Sequence, residues 1–156
     1  MRWAARAASL ARIAAGIIFV AEGWGKVTGG FVHGDFAKQA SGMAAKAWPF
    51  WQRFLQGFVL PNAAAIAWLI AVSELALGLG LVLGLWTRAA CACGALLVLS
   101  FLLGQSYVPG GSWDSWVTAG LTSKFAILLL VLLGIADTGR VWGLDGRPRG
   151  RRAIRD

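Results

Sequence analysis

The sequence predicts an all-α fold: an integral membrane four-helix bundle whose first outer loop carries an interfacial amphipathic helix. Hydrophobic residues make up 58% of the chain and charged residues only 14%, whereas soluble domains average about 25% charged residues. Four apolar stretches approach the roughly 20 residues that a helix needs to cross the hydrocarbon core of a bilayer. The period-2 alternation of a membrane β-barrel is absent, so we expect the spans to be helices.

The 156 residues are interpreted as one membrane domain. Pro61-Asn62 precedes the second apolar stretch and Pro109 follows the third, which is typical of helix boundaries. The first stretch is predicted to be a retained span rather than a cleaved signal peptide, because it is long and carries Glu22 and Lys26 in its C-terminal half. The predicted spans are 7–27, 63–86, 89–108 and 116–136, followed by a basic tail at 137–156.

Basic residues predict the orientation. Ten Lys and Arg residues lie in the N-terminal segment, at the Thr87-Arg88 turn and in the tail. The other two connections carry three: Lys38, Lys46 and Arg53. Because cytoplasmic flanks are enriched in Lys and Arg, we expect both termini in the cytoplasm and the chain in a bacterial-type inner (plasma) membrane. The net charge of +8 comes largely from basic residues in these flanks. We therefore expect the chain to associate with the lipid bilayer and not with nucleic acid.

The first outer connection contains a second kind of helical pattern. Between 44 and 58, aromatic and aliphatic residues recur three and four positions apart with polar residues between them, as in an amphipathic helix. One interpretation is an interfacial helix anchored by its aromatic rings. The other is a lid over a site in the outer half of the bundle.

Ionisable residues inside spans are costly and therefore mark candidate sites. Glu22 and Lys26 lie four apart on the first predicted span, in the favourable order for an ion pair. Counted from the helix ends, Lys124 and Gln105 fall at a similar outer depth. Such a cluster is either a network that joins the helices or a site for an anionic or quinone-like ligand.

Glu74 lies near the middle of the second predicted span. With no charged partner at that depth, its carboxyl group is expected to be uncharged at neutral pH. Ser100, on the third span, is a candidate hydrogen-bond partner. Glu74 is interpreted either as an interhelical hydrogen-bond donor or as a proton acceptor in quinone chemistry.

No haem, iron–sulfur, zinc, nucleotide or flavin motif is present in the sequence, and the lone His33 lies outside the spans. We therefore expect no metal site and no covalently bound cofactor. A membrane quinone remains a candidate ligand.

Three segments resemble the motifs of the DoxX-like membrane proteins. Phe19–Lys26 (FVAEGWGK) is similar to their first-helix motif, and Glu74–Arg88 (ELALGLGLVLGLWTR) to their second-helix signature. The segment Gly139–Asp145 (GRVWGLD) resembles the C-terminal motif of the DoxD branch. The long aromatic outer loop that ends in Leu60-Pro61-Asn62 also resembles the outer loop of that branch.

The DoxD branch includes the small membrane subunit of thiosulfate:quinone oxidoreductase. The resemblance therefore implies electron transfer from thiosulfate to membrane quinone, together with other membrane or periplasmic subunits. By position, Glu22, Lys26, Glu74 and Arg88 match residues of the family motifs.

Two functional hypotheses follow. In the first, the chain is a quinone-linked redox subunit: Lys26, Lys124 and Gln105 bind the substrate, and Glu22 or Glu74 handles protons. In the second, it is a non-catalytic accessory subunit of a larger respiratory or photosynthetic membrane complex.

Overall fold

The computed structural model describes residues 2–107, 111–136, 138–140 and 142–146, the side chains at positions 2 and 116 excepted. Most of the predicted basic tail lies outside the described residues. The α-helices in this part of the chain are α1 (Arg2–Thr28), α2 (Asp35–Ala44), α3 (Pro49–Phe54), α4 (Ala63–Leu83), α5 (Thr87–Gln105), α6 (Trp113–Thr118) and α7 (Leu121–Ile135). Shorter turns are 3-10 at Phe31–His33, Thr138–Arg140 and Leu144–Gly146, and π-helical at Leu55–Val59.

Three helical segments in the described part of the chain are long and apolar enough to cross a membrane: Trp3–His33, Ala63–Leu83 and Thr87–Gln105. They correspond to the first three predicted spans, so the prediction of a membrane helical bundle is confirmed. The second span ends earlier than predicted, because Gly84 takes the left-handed conformation (φ +62°) that commonly terminates a helix.

The fourth predicted span, 116–136, was expected to be one helix, and this part of the prediction is wrong. α6 and α7 are separate helices divided at Ala119 and Gly120, and Gly120 has φ +67°. A residue without a Cβ adopts that backbone conformation at little cost, so the chain turns there instead of continuing the helix. α7 has 15 residues, which corresponds to about 22 Å.

α1 and α4 pack antiparallel at very short range through glycines. A Cβ atom added to Gly78 would lie 2.6 Å from the backbone nitrogen of Val20, and one added to Gly16 would lie 2.8 Å from the carbonyl oxygen of Gly78. Further along the pair, a Cβ on Gly23 would lie 2.9 Å from the backbone nitrogen of Leu75. Small residues permit this approach, and they set the register between the two helices.

Apolar residues are buried at both ends of the bundle. We call the end that carries residues 29–62 the loop end, and the end that carries the α4–α5 turn the terminal end. At the loop end, α2, the Phe31–His33 turn and the Leu55–Val59 turn cover the first half of α4. Towards the terminal end, α1, α4, α5 and α7 share a second cluster: Ala15, Leu81, Ala90, Cys91, Leu130 and Leu133.

The amphipathic helix predicted within 44–58 is observed as α3 followed by the π-helical turn. Leu55 and Val59 form its buried face, whereas Phe50, Phe54 and Phe58 are exposed. Its position at a membrane interface remains a prediction.

At the terminal end, the residues after α7 fold back onto the α4–α5 turn. The carboxylate of Asp145 accepts hydrogen bonds from the backbone amides of Trp86 and Thr87, both at 2.8 Å. The amide of Asp145 in turn donates to the carbonyl oxygen of Gly84 at 2.9 Å. Asp145 therefore caps the first turn of α5, although it lies 58 residues away from Thr87.

Arg12 is one of the N-terminal basic residues that were assigned to the flank of the first span. Its side chain is instead completely buried, and it donates a hydrogen bond to the carbonyl oxygen of Trp142 at 2.7 Å. This contact joins α1 to the same C-terminal segment that caps α5. Arg12 thus has a structural position in the fold rather than a surface one.

Asp145 lies outside the membrane spans, and its surroundings favour the charged form of its carboxyl group. Burial alone would raise the pKa of Asp145, but the hydrogen bonds from Thr87 and Trp86 and the nearby Arg12 outweigh it, so the pKa lies below its usual range.

We expect Gly78→Ala to destabilise the protein by about 1–3 kcal/mol, because the new methyl group meets the backbone of α1. Gly25→Ala is the matched control, since it adds the same group to a helix where no atom lies within 4 Å of the new Cβ. Thermal unfolding of the two purified variants in detergent measures the difference. Equal melting temperatures would contradict the close approach of α1 and α4.

Asp145→Ala removes the cap of α5, and we expect a loss of about 1 kcal/mol at neutral pH. The pKa of Asp145 is lower in the folded protein than its unfolded value of about 3.9. The stabilisation is therefore complete above that value and is lost as the pH falls through the folded-state pKa. Thermal unfolding of wild type and variant between neutral and acidic pH should show two curves that converge in acid. A constant difference at all pH values would contradict this role.

Candidate functional site

A cavity of about 590 Å³ lies between the α1–α4 pair and the α5–α7 pair, at the loop end of the bundle. Its walls come from five helices and the Phe31–His33 turn. The lining residues are Ile18, Phe19, Glu22, Gly25, Lys26, Phe31, Gln39, Met43, Glu74, Val98, Phe101, Gln105, Ser123 and Ala126. Most of these are apolar, and a few polar groups converge on the same space, as is typical of ligand sites.

The Lys26 ammonium lies between two carboxylates on this wall. Its Nζ is 2.7 Å from Oε2 of Glu74 and 3.3 Å from Oε2 of Glu22. The ring of Phe31 adds a cation–π contact, with its centroid 5.6 Å from the same nitrogen. Lys26, Glu22 and Glu74 are called the ion triad below.

The two ion pairs differ in burial. The side chain of Glu74 is 7% exposed and that of Lys26 is 18% exposed, whereas that of Glu22 is 66% exposed. A buried carboxylate that loses its partner is strongly destabilising, whereas most of the Glu22 side chain is not packed against the protein. The contact between Lys26 and Glu74 therefore dominates the energetics of the triad.

Glu74 is not the isolated carboxyl group that the sequence predicted. About 16 Å of helix precede it in α4, whereas only about 9 Å of helix follow Glu22 in α1. The first residue of α4 therefore lies further towards the loop end than the last residue of α1. Two residues on these helices can lie at the same depth although their distances from the helix ends differ. The interhelical contact with Ser100 is not observed either, since its hydroxyl donates to the carbonyl oxygen of Leu97 in its own helix at 2.6 Å.

Of the other predicted binding residues, Gln105 lines the cavity and Lys124 does not join the triad. The Lys124 ammonium instead donates to the carbonyl oxygen of Val117 in α6 at 3.3 Å. The break at Gly120 brings α6 back over the start of α7, which provides Lys124 with a local acceptor.

Arg88, the fourth residue that the resemblance singled out, lies in the first turn of α5 at the terminal end and lines a different, smaller cavity. Of the positions that match family motifs, Glu22, Lys26 and Glu74 thus come together, and Arg88 is separate from them.

Sequence reasoning missed the contribution of α2. Gln39 and Met43 of this helix line the cavity, and its buried residues Phe36, Ala40 and Ala44 recur four apart. That spacing was a detectable signal for a helix packed on the bundle. In the described part of the chain, no group of three or more His, Cys, Asp and Glu side chains is placed to hold a metal ion.

A bundle of membrane-length helices with a buried ion pair on the wall of a cavity between its helices defines a polytopic membrane protein with a polar site among its spans. The sequence model of the DoxX family matches residues 7–107, which is more than half of the chain. The chain belongs to the DoxX family. No curated protein and no solved structure matches it. The matched region runs from α1 to α5 and contains the whole ion triad.

We expect Lys26→Met to destabilise the protein by up to about 3–5 kcal/mol, because it leaves Glu74 without its buried partner. Glu22→Gln is the matched control and should cost less, since Glu22 is exposed and Lys26 keeps its contact with Glu74. The double variant Lys26→Met/Glu74→Gln should recover most of the loss. Thermal unfolding in detergent compares the four proteins, and a Lys26→Met variant as stable as Glu22→Gln would contradict the assignment.

Proposed function

We propose that this DoxX protein is the membrane subunit of a quinone-linked redox system, and that the cavity binds the quinone head group. The observation that carries this proposal is the ion triad: two carboxylates and an ammonium on the wall of a mostly apolar cavity within a membrane bundle. Family membership supports a membrane role of this kind.

The chemistry of the lining fits an uncharged ring with carbonyl oxygens. Lys26 and the amides of Gln39 and Gln105 are hydrogen-bond donors for carbonyl oxygens, and Phe19 and Phe101 provide aromatic surface. Gly25 leaves open space at the wall, since no atom lies within 4 Å of a Cβ added there.

The charge of the triad argues against an anion in the same place. The Lys26 ammonium already contacts two carboxyl groups, at 2.7 and 3.3 Å. An oxyanion such as thiosulfate would have to compete with them for this ammonium, and Lys124 lies outside the cavity. We therefore assign the sulfur donor that the DoxD resemblance implies to a partner subunit, and the quinone to this chain.

Reduction of a quinone to a quinol takes up two electrons and two protons. Glu22 is exposed and Glu74 is buried, and the Lys26 ammonium contacts both carboxylates. This arrangement provides a route for protons from the surroundings of Glu22 to the buried Glu74, and from there to a carbonyl oxygen of the ring. The electrons are supplied by the partner subunit.

The orientation proposed from the basic residues completes this assignment. With both termini in the cytoplasm, the loop end and the cavity lie in the outer half of the membrane, where a periplasmic partner can deliver electrons. The exposed ridge of Phe50, Phe54 and Phe58 is then placed at the outer interface.

We expect Glu74→Gln to lower quinone reduction about 10²–10⁴-fold, the usual contribution of a general acid or base. Gln keeps the shape and the hydrogen-bonding capacity of the side chain, so the fold should persist. Lys124→Met is the matched control in the same bundle and should retain activity, because Lys124 lies outside the cavity.

The measurement is quinone reduction by the reconstituted protein with its partner subunits, alongside thermal unfolding of each variant. Unchanged turnover in Glu74→Gln would remove Glu74 from the mechanism. Absence of turnover in the wild-type assembly, across a range of sulfur donors, would favour a non-catalytic accessory subunit instead.

A further inference from the structure

A second, apolar cavity lies along the bundle beside the first. It encloses about 300 Å³ between α1 and α7. Its lining consists only of aliphatic and aromatic residues: Ala11, Ala14, Ala15, Ile18, Phe19, Ala126, Leu129 and Leu130. We call it the α1–α7 groove.

The groove exists because the facing side chains are small. Ala11, Ala14 and Ala15 occupy the α1 side and Ala126 the α7 side, and methyl groups leave unfilled space where longer side chains would meet. Ala14 and Leu129 are exposed. The groove is therefore open to its surroundings, which for this face of a membrane bundle are lipid chains.

The groove adjoins the cavity of the ion triad. Ile18, Phe19 and Ala126 line both spaces. A molecule whose polar head contacts Lys26 would need to extend its apolar chain past only these three side chains to reach the groove.

We propose that the α1–α7 groove holds the hydrocarbon tail of the ligand whose head group lies in the triad cavity, and that this ligand enters sideways from the bilayer between α1 and α7. This inference rests on the proposed function, and it specifies the substrate class as a quinone with an isoprenoid or alkyl tail rather than a water-soluble quinone. The tail contributes through packing and orientation, because the lipid chains that it leaves are equally apolar.

The size of the groove limits what it can accept. A groove of about 300 Å³ accommodates part of one extended hydrocarbon chain, whereas a helix is about 10 Å across with its side chains. The groove therefore selects a single chain, and a second copy of the protein or another helix can cover it but not enter it.

The first experiment compares two quinones that share one head group, one tailless and one with a ten-carbon tail. Ala14→Phe fills the groove at a position that does not line the triad cavity. We expect it to weaken binding of the tailed quinone about tenfold or more, the cost of overpacking an occupied space, and to leave the tailless quinone within about twofold. For each quinone, the affinity of the variant is divided by that of the wild type, and this ratio cancels the partition of the quinone into detergent.

Ala21→Phe is the matched control: it adds the same ring to the same helix at an exposed position that lines neither cavity. It should change neither affinity. Equal effects of Ala14→Phe on the affinities of the two quinones would overturn the proposal. A change in oligomeric mass with unchanged affinities would also overturn it, because it would show that a neighbouring protein covers the groove.

The second experiment uses only the wild-type protein and so does not depend on how the variants fold. A quinone with a photoreactive group at the tip of its tail should crosslink to α1 and α7 around Ala11 and Ala126, as located by peptide mass spectrometry. Crosslinks confined to other helices, with binding intact, would overturn the groove assignment alone. Failure of both quinones to bind the wild-type protein would overturn the proposed function itself.

Discussion

The close contact between α1 and α4 is the constraint on which the rest of the structure depends. Glycines at Gly16, Gly23 and Gly78 let the two backbones approach until an added methyl group would meet backbone atoms of the opposite helix. That approach sets an antiparallel register in which the Lys26 ammonium reaches Glu74 across the interface. A shift by one helical turn, about 5.4 Å, would leave Glu74 without its charged partner, while Lys26 would keep only Glu22 of its own helix.

The ion triad shows how a membrane protein can keep ionisable groups within its helical bundle. Charges within a bilayer are tolerated when they are paired and face the interior of the bundle. In this chain Glu74 is buried and paired, Glu22 is exposed, and Lys26 contacts both. The pairing stabilises the α1–α4 interface, and the same groups line a cavity between two helix pairs that can hold a ligand. The residues that join α1 to α4 are therefore the same residues that face the cavity.

At the terminal end, a separate set of hydrogen bonds connects the C-terminal segment to α1 and to the α4–α5 turn. A short turn from Gly84 to Trp86 precedes α5, and the carboxylate of Asp145 in the C-terminal segment accepts hydrogen bonds from the backbone amides of Trp86 and Thr87. Arg12 from α1 donates to the carbonyl oxygen of Trp142 in that segment. The C-terminal segment thereby joins Arg12 of α1 to the α4–α5 turn by polar contacts that are separate from the triad. The bundle is thus held by hydrogen bonds at one end and by an ion pair at the other.

Composition and apolar length were sufficient to predict a membrane helical bundle and its first three spans, because the bilayer demands long apolar helices whatever the packing. Glu22 and Lys26 could be paired from their spacing within one helix. The partnership of Lys26 with Glu74 and the inclusion of Gln39 could not be read in this way, nor could the separation of Lys124, since each depends on the register between helices. That register is set by contacts between residues distant in sequence. The break between α6 and α7 was not predicted either, and it appears in the structure as the positive φ of Gly120. Local pattern thus specifies which segments enter the membrane, whereas packing determines which charges meet inside it.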